Sequence, residues 1–351
     1  MTLPAVDKHK QPEHEHRIPT RAFTSKSAAG LVVGLALVAL FAVVRVLAPS
    51  TPENFGLPNA ARDFATLSIS VVVESLPFVF LGIVLSIAVQ VWLPEGMLLR
   101  RLPRSPVLRR LVLSLLGMLL PVCECGNVPL ARGLVVKGLT VAESMTFLFA
   151  APILNPVTIV TTAQAFGWNN GILVSRVLGG FFIANLVGWI YSRHPRPGEL
   201  LTTRFQETCN LADHDGGAGR VQRSVQMFSQ ETRAMMPALF IGAGMAGLIQ
   251  VAVSREVLVA LGSNPVWSVL ALMLLAFVVA ICSNVDAFFI LSFGATFMPG
   301  GIVAFLVFGP MIDVKMLALM RTTFTAKTLL QLSLLVALCA AVLGLAVNYG
   351  H

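Results

Sequence analysis

The sequence predicts an all-α, multi-spanning helical membrane protein. Of its 351 residues, 56% are hydrophobic and 12% are charged, whereas soluble domains carry about 25% charged residues. Apolar runs close to the ~20 residues that cross a bilayer recur along the chain. They lie at residues 28–48, 64–93, 108–122, 144–165, 171–191, 234–253, 266–282, 300–320 and 328–347.

Short motifs in the first half of the chain recur in the second half. The run 125–128 (Cys-Gly-Asn-Val) returns as 282–285 (Cys-Ser-Asn-Val), and 152–155 (Pro-Ile-Leu-Asn) returns as 310–313 (Pro-Met-Ile-Asp), at nearly the same spacing. Pro77 and Pro237, which each open a glycine-containing apolar run, are separated by a similar distance. The repetition predicts two homologous repeats, each with polar and helix-breaking residues at membrane depth.

Composition divides the chain into four segments. Residues 1–27 are polar and predict a disordered tail, and residues 28–191 form the first membrane repeat. Residues 192–229 are typical of a polar, flexible linker, because prolines, glycines and charges collect there. Residues 230–351 form the second repeat together with the last helix.

Basic residues predict the orientation in the membrane. Lysines and arginines collect before residue 28, in 93–110 and in 192–225, and the positive-inside rule places all three segments, with the N-terminus, in the cytoplasm. An odd number of apolar runs separates the last two clusters. One solution is a re-entrant hairpin at 108–137, broken at Pro121–Pro129, with a matching hairpin at 266–298 broken at Cys282–Asp286. The repeats would then be inverted, as in many transporters. The alternative is that 108–137 crosses with a kink, in which case the repeats are parallel.

Two cysteines in the first broken segment could bind a soft ion. Thiolates suit Cu(I), Zn and trivalent arsenic, and Cys123 and Cys125 could face one ion if the backbone between them is unwound. The alternative is that both pack as small apolar residues. Cys282 holds the position in the second repeat that Cys125 holds in the first.

Ionisable residues inside apolar runs mark functional sites by default. Glu124, Asp286, Asp313 and Lys315 lie in such runs, and Glu74 is a weaker candidate. The carboxylates could bind a cation or relay protons, and Lys315 is close enough in sequence to Asp313 for the two to neutralise each other. The alternative is a set of paired structural charges near helix ends.

Amides and prolines accompany these charges. Each proline inside a helix frees one carbonyl group, so a set of amides and prolines could line a solute path or coordinate a cation: Asn127, Asn155, Asn284, Pro129, Pro152 and Pro310. The alternative is a set of kinks whose freed carbonyls are satisfied by neighbouring helices.

Other functional classes are disfavoured. The net charge of +8 comes from loop residues beside apolar runs, which favours membrane orientation over nucleic-acid binding. The glycine pattern at 242–247 fits the dinucleotide fingerprint, yet it lies within a span and is typical of a helix-packing face. The sequence has no ATPase-type phosphate loop and no readable Ser–His–Asp arrangement. We therefore expect neither an enzyme nor a bound cofactor.

Three motifs resemble those of the bacterial predicted-permease family: Cys-Glu-Cys-Gly-Asn-Val-Pro-Leu (123–130), Ala-Pro-Ile-Leu-Asn-Pro (151–156) and Gly-Pro-Met-Ile-Asp-Val-Lys (309–315). That family includes YraQ-like proteins and the organoarsenical efflux permeases (ArsP). The resemblance covers about residues 64–325 and implies a multi-pass permease of the bacterial cytoplasmic membrane. It also implies that Cys123 and Cys125 are the candidates for engaging trivalent arsenic.

The sequence therefore predicts a secondary transporter that exports a small thiophilic or metalloid solute. Its expected partners are membrane lipids, the solute and, in a homo-oligomer, a second copy of the chain. One alternative is a membrane thiol oxidoreductase or relay protein that uses Cys123 and Cys125. Another is a non-transporting partner for a soluble protein, acting through the 192–225 loop.

Overall fold

The computed structural model describes residues 59–350 except 95, 120–122, 169–170, 213–218, 253–263 and 295. The predicted tail (1–27) and first apolar run (28–48) lie outside these residues. The described residues form fourteen α-helices: α1 (Asn59–Ile87, continued by a π turn to Trp92), α2 (Met97–Arg101), α3 (Pro106–Leu116), α4 (Glu124–Val136), α5 (Val141–Leu154), α6 (Pro156–Phe166), α7 (Gly171–Tyr191), α8 (Thr203–Ala212), α9 (Arg220–Ala252), α10 (Pro265–Val279), α11 (Asp286–Leu291), α12 (Pro299–Met311), α13 (Val314–Met320) and α14 (Ala326–Gly350).

The predicted class is confirmed. Six helical stretches among the described residues are long and apolar enough to cross a membrane: 59–92, 141–166, 171–191, 220–251, 299–320 and 326–350. Helix α10 is apolar but, at 15 residues, shorter than a bilayer requires. The apolar runs predicted at 108–122 and 266–282 therefore contain helices, α3 and α10, that are too short to cross the membrane.

Two ends of the bundle can be told apart by their contacts. At the first end, the hydroxyl of Thr328, near the start of α14, donates to the carbonyl of Leu200. At the second end, Asn348, near the end of α14, donates to the carbonyl of Pro265 and accepts from the amide of Gly300. A straight helix of 25 residues is about 37 Å long, so these groups lie on opposite sides of the bundle.

The first hairpin (residues 106–136) starts and finishes at the first end, where Arg132 of α4 donates to Thr322 and Thr323, just before α14 begins. Arg109, in the first turn of α3, forms an ion pair of 3.2 Å with Glu143, in the first turn of α5. Helix α4 finishes just before α5 begins, and Lys137 donates to the carbonyl of Leu93 at the end of the first span. The chain thus enters along α3, turns, and returns along α4, which is the course that the re-entrant interpretation predicts.

The second hairpin (residues 265–298) starts and finishes at the second end. Pro265 at the start of α10 and Gly300 at the start of α12 both bond to Asn348. The two hairpins therefore enter the bundle from opposite ends, as inverted repeats require. The duplication itself stays a prediction.

The turns within the hairpins lie close to the predicted positions, with one correction. Helix α3 ends in a 3-10 turn at Gly117–Leu119, and α4 begins at Glu124. We call the described residues between α3 and α4 (117–119 and 123) the first break and the non-helical residues 280–285 the second break. The sequence places Pro129 in the first break, but this residue lies inside α4. Its missing N–H leaves the carbonyl of Cys125 without its helical partner.

Two spans are interrupted in their middle for local reasons. Asn155 precedes Pro156, and a residue before proline is disfavoured in the α region, so α5 ends at Leu154 and α6 begins with proline at its first position. The Asn155 side chain then caps α6 by accepting from the amide of Val157. In the second interrupted span, Asp313 is extended and caps α13 by accepting from the amide of Met316.

The segment predicted as a polar linker is more structured than expected. A 3-10 turn at Pro197–Leu200 and helix α8 lie within it, and Leu200 and Phe205 are buried. The long helix α9 begins at Arg220, inside the predicted linker. Apolar residues between the charges explain this difference, because they pack α8 against the first end of the bundle.

Glycines bring the long helices close to the broken segments. A Cβ atom on Gly82 of α1 would lie 2.1 Å from the carbonyl oxygen of Gly126 in α4. A Cβ atom on Gly242 of α9 would lie 2.8 Å from the Cβ of Ala318 in α13. The glycine pattern at 242–247 therefore contributes to a packing face.

Candidate functional site

The two breaks meet in the interior of the bundle at Glu124. This residue begins α4 and is fully buried. Its carboxylate accepts from the hydroxyl of Ser283 at 3.0 Å, from the amide of Ser283 at 3.4 Å, and from the thiol of Cys282 at 3.8 Å. A carboxylate of the first hairpin is thus held by three donors of the second break.

Lys315 of α13 also contacts Glu124. Its ammonium group lies 3.2 Å from the Glu124 carboxylate and 3.2 Å from the carbonyl oxygen of Ala280. Both charged side chains are at most 1% exposed. The sequence predicts that Lys315 neutralises Asp313, but its ion pair is with Glu124, because Asp313 turns toward the backbone of α13 as its N-cap.

The Ala280 carbonyl is available because the backbone there is unusual. Ala280 ends α10 in the left-handed region, with φ of 51°. It is the one non-glycine residue with positive φ in the described part of the chain. This conformation costs a residue with a Cβ atom about 1 kcal/mol. The strain is stored at the point where the second hairpin contacts the lysine.

Thiols from both halves approach the same carboxylate. The sulfur atoms of Cys123 and Cys282 and a carboxylate oxygen of Glu124 all lie within 4.8 Å of one another. Cys123 is the N-cap of α4 and has an extended backbone, so it lies just outside the regular helix. We call Cys123, Glu124 and Cys282 the thiol–carboxylate cluster.

Cys125 does not belong to this three-residue set. It lies in the first turn of α4 and is fully buried. Its side chain interacts with that of Cys123, so the predicted pair lies together at the start of α4, and the fold adds Cys282 from the second half to it. Within the described residues, all five cysteines are free thiols.

A second buried ion pair lies on the other side of the second break. Asp286, at the start of α11, binds Arg176 of α7 through two contacts of 3.0 and 2.6 Å. The same guanidinium donates to the hydroxyl of Thr162 in α6 at 2.7 Å. Asp286, predicted as a coupling residue, is thus held in a bidentate pair. The hydroxyl of Thr158 donates to Asn284 at 3.3 Å, so α6 also contacts the second break.

Three polar side chains near the breaks, those of Asn127, Asp313 and Arg176, have buried atoms without a hydrogen-bond partner among the described residues. Both polar atoms of the Asn127 amide and one oxygen of Asp313 are in this state within the described residues. Asn127 is one helical turn after Cys123, so the two share a face of α4. Leaving a buried polar atom unsatisfied costs about 1–3 kcal/mol, so such groups are retained where water, a solute or an ion meets them.

Pro152 and Pro310 have the same position in the two interrupted spans. Each lies inside its helix shortly before the interruption, and both are buried. Their missing N–H groups free carbonyls one turn earlier in each helix. Glu74 of α1, which is half-buried, interacts electrostatically with Glu124 and Lys315.

Several residues of the site were not predicted. Arg176 lies six residues into an apolar span, and an arginine at that depth is by itself a signal. In the sequence, Ser283 stands out only as the residue of the repeated motif that differs between the two halves. Thr158, Thr162 and the Ala280 carbonyl carry no signal in the sequence, because their roles depend on tertiary packing.

The ligand chemistry of the thiol–carboxylate cluster suits a soft cation. Two thiols and one carboxylate are a ligand set that suits metals and metalloids with affinity for sulfur. A neighbouring lysine and unpartnered amide atoms can position polar substituents of such a solute.

Comparison with known proteins gives consistent matches. The sequence model of a family described as "Predicted permease" (ArsP_1) matches residues 60–349. The UPF0718 protein YcgR of Bacillus subtilis is 34% identical over 267 residues, which cover 75% of this chain and 89% of that protein.

Two further relatives match this chain over different lengths. A putative two-component membrane permease complex subunit of Streptococcus mutans is 31% identical over 281 residues, or 78% of this chain and 91% of that protein. The UPF0718 protein YraQ of Escherichia coli is 26% identical over 159 residues, or 45% and 44% of the two chains. No solved structure matches.

Proposed function

Because the chain belongs to the predicted-permease family, we propose that it is a secondary transporter that exports a small thiophilic solute such as a trivalent organoarsenical. The family and the six candidate spans make it a multi-pass membrane protein. The resemblance noted in the sequence is thereby confirmed at the level of the family. The thiol–carboxylate cluster is the observation that carries the proposal for the solute.

The chemistry of the cluster favours a metalloid over a polar nutrient. Trivalent arsenic forms bonds to thiolate sulfur, and the sulfurs of Cys123 and Cys282 lie within 4.8 Å of each other. The organic substituent would lie against apolar side chains around the breaks. Each As–S bond would replace an As–OH bond. Glu124 would pass the proton of the thiol to the departing hydroxide, which leaves as water, and Lys315 would hold that carboxylate in place.

Proton coupling is the second part of the proposal. Asp286 and Asp313 are buried carboxylates on either side of the second break. The Arg176 pair holds Asp286, whereas one oxygen of Asp313 has no hydrogen-bond partner among the residues that the structure describes. We infer that Asp313 exchanges the proton and that Asp286 fixes the second break against α6 and α7.

The proposed mechanism is alternating access in an inverted pair of repeats. Two hairpins that enter from opposite ends and touch at Glu124 and Ser283 form a barrier that could open on either side. Because α3–α4 and α10–α11 belong to different halves, a small rotation of one half would separate the breaks. We propose that the first end faces the cytoplasm of the bacterial cell, together with the N-terminus, in line with the positive-inside rule.

Uptake of trivalent methylarsenical into everted membrane vesicles tests the proposal. We expect Cys123→Ser and Cys282→Ser each to lower uptake by about 10- to 100-fold, a loss typical of a weakened ligand set. Cys339→Ser is the matched control, because Cys339 lies on α14 and outside the cluster. If both cluster variants transport like the wild type at equal expression, the site assignment is wrong.

A thiol relay predicts a different result. Its cysteines would cycle between reduced and disulfide states in the cell, which acid quenching followed by alkylation detects. Thiols that stay reduced while transport occurs would support the permease. A mixture of reduced and oxidised Cys123 that changes with the growth redox state would support the relay.

The assembly state is also a proposal. The Streptococcus mutans relative is named as a subunit of a two-component permease complex. A second chain, either another copy or a different protein, would therefore bind this one within the lipid bilayer. Cross-linking in native membranes followed by mass spectrometry would identify it.

A further inference from the structure

A cavity of about 560 Å³ opens at the first end of the bundle, away from the two breaks. Its walls come mainly from α4, α8, α9 and the turn after α13. A volume of this size accommodates a small ligand. The cavity plays no part in the proposed transport of a thiophilic solute, so its role is a separate question.

Positive charge dominates the lining. Five guanidinium groups face the cavity, from Arg132, Arg204, Arg223, Arg233 and Arg321, and Glu231 supplies the one carboxylate among the described lining residues. The net charge of this lining is therefore +4. Such a concentration of like charge is unfavourable unless an anion compensates it.

The base of the cavity is rigid. Arg132 is 4% exposed and donates to both carboxylate oxygens of Glu231, at 3.0 and 3.4 Å. The same guanidinium donates to the carbonyl of Thr322 and the hydroxyl of Thr323, and it lies 4.3 Å from the centre of the Phe205 ring. Glu231 therefore forms an ion pair with Arg132 at the base of the cavity.

The rim carries the arginines that are available to a ligand. Arg204 and Arg233 are exposed, and neither has a carboxylate partner within the described part of the chain. They come from α8 and α9, so a ligand bound by both would bridge these helices. Arginine binds phosphate oxygens through two parallel hydrogen bonds, which makes it the preferred side chain for this anion.

From these observations we propose that the cavity binds a phosphate-bearing anion, which clamps α8 against the bundle. The anion would be either a soluble phosphate compound or the headgroup of an acidic phospholipid. Both share the phosphate group that the arginines recognise. The cavity lies at the end that we place in the cytoplasm, where both sources occur.

The test uses the full-length protein, stripped of lipid in a neutral detergent. Inorganic pyrophosphate is titrated by calorimetry, and phosphatidylglycerol is compared with phosphatidylcholine of the same acyl chains by native mass spectrometry. We expect one of the two phosphate sources to bind and phosphatidylcholine to bind far more weakly. Pyrophosphate binding would assign the soluble source, and selective phosphatidylglycerol binding would assign the lipid.

A double variant, Arg204→Gln/Arg233→Gln, should weaken binding of that ligand by roughly tenfold or more, because two charge-assisted contacts are lost. Arg220→Gln is the matched control, since Arg220 is an exposed arginine of α9 that does not line the cavity. All three substituted positions are exposed, so folding should be retained. Equal binding by the double variant and the wild type, or no preference for phosphatidylglycerol and no pyrophosphate binding, would overturn the proposal.

Discussion

Replacing Lys315 by methionine tests the contact between the two halves of the chain. Lys315 and Glu124 belong to different halves, and both are almost completely buried. Lys315→Met would leave the Glu124 carboxylate buried with only the Ser283 and Cys282 donors. Removing one partner of a buried ion pair typically costs about 3–5 kcal/mol. In a chain of this size, roughly 2 °C of melting temperature corresponds to each kcal/mol, so we expect a loss of about 6–10 °C.

The double variant Glu124→Gln/Lys315→Met should recover most of this loss. Glutamine keeps an acceptor for Ser283, and methionine fills the space of the lysine chain without a charge. A double-mutant cycle should therefore give a coupling of about 2–3 kcal/mol, whereas distant sites add within ~0.5 kcal/mol. Thermal unfolding in detergent, followed by the reactivity of buried thiols, measures all four proteins.

The control is Lys327→Met, at an exposed position at the start of α14. It should change stability by no more than about 0.5 kcal/mol. If Lys315→Met is as mild as this control, or if the two substitutions of the cycle are additive, then the ion pair between the halves does not form and the reasoning fails.

Further predictions concern the other buried groups. Arg176→Gln should lower the free energy of unfolding by about 3–5 kcal/mol, because it leaves Asp286 unpaired in the interior. Adding Asp286→Asn should restore much of that stability. A double variant as unstable as Arg176→Gln alone would show that the ion pair does not form. Gly82→Ala should destabilise the protein by about 1–3 kcal/mol, since its Cβ atom would lie 2.1 Å from the Gly126 oxygen. Gly244→Ala, where nothing lies within 4 Å of an added Cβ atom, should instead stabilise α9 by up to about 1 kcal/mol. Equal melting temperatures for the two alanine variants would show that α1 does not approach the start of α4 closely.

Much of the architecture could be predicted because hydropathy and helix-breaking residues act locally. Apolar length reports a span, and the odd number of apolar runs between two basic loops made a segment that turns back one of two possible solutions. Asn155-Pro156 fixes an interruption through the conformational restriction before proline. Each of these features is determined by residues that are close together along the chain, so a single sequence is enough to predict it.

The partners within the site could not be predicted in the same way. Lys315 is two residues from Asp313, yet its ion pair is with Glu124, because the second interrupted span brings α13 against the first hairpin. Ala280 occupies a left-handed position that usually signals glycine, so the residue type gives no warning of the bend. Cys282 joins the thiols at the start of α4 because tertiary packing brings the two breaks together, and a single sequence does not show that packing.

Cross-linking of Cys123 to Cys282 tests whether the two breaks meet at one site. In a variant that retains only Cys123 and Cys282, with a protease site inserted between residues 215 and 216, copper–phenanthroline oxidises nearby thiols to a disulfide. Their sulfur atoms lie within 4.8 Å, so a small movement reaches the ~2.05 Å of an S–S bond. We expect the cut halves to stay joined on a non-reducing gel and to separate after reduction. A variant that retains only Cys209 and Cys339, which lie on α8 and α14, should separate in both cases. Separation of the Cys123–Cys282 halves after oxidation, at the same rate as this control, would contradict a shared site between the breaks.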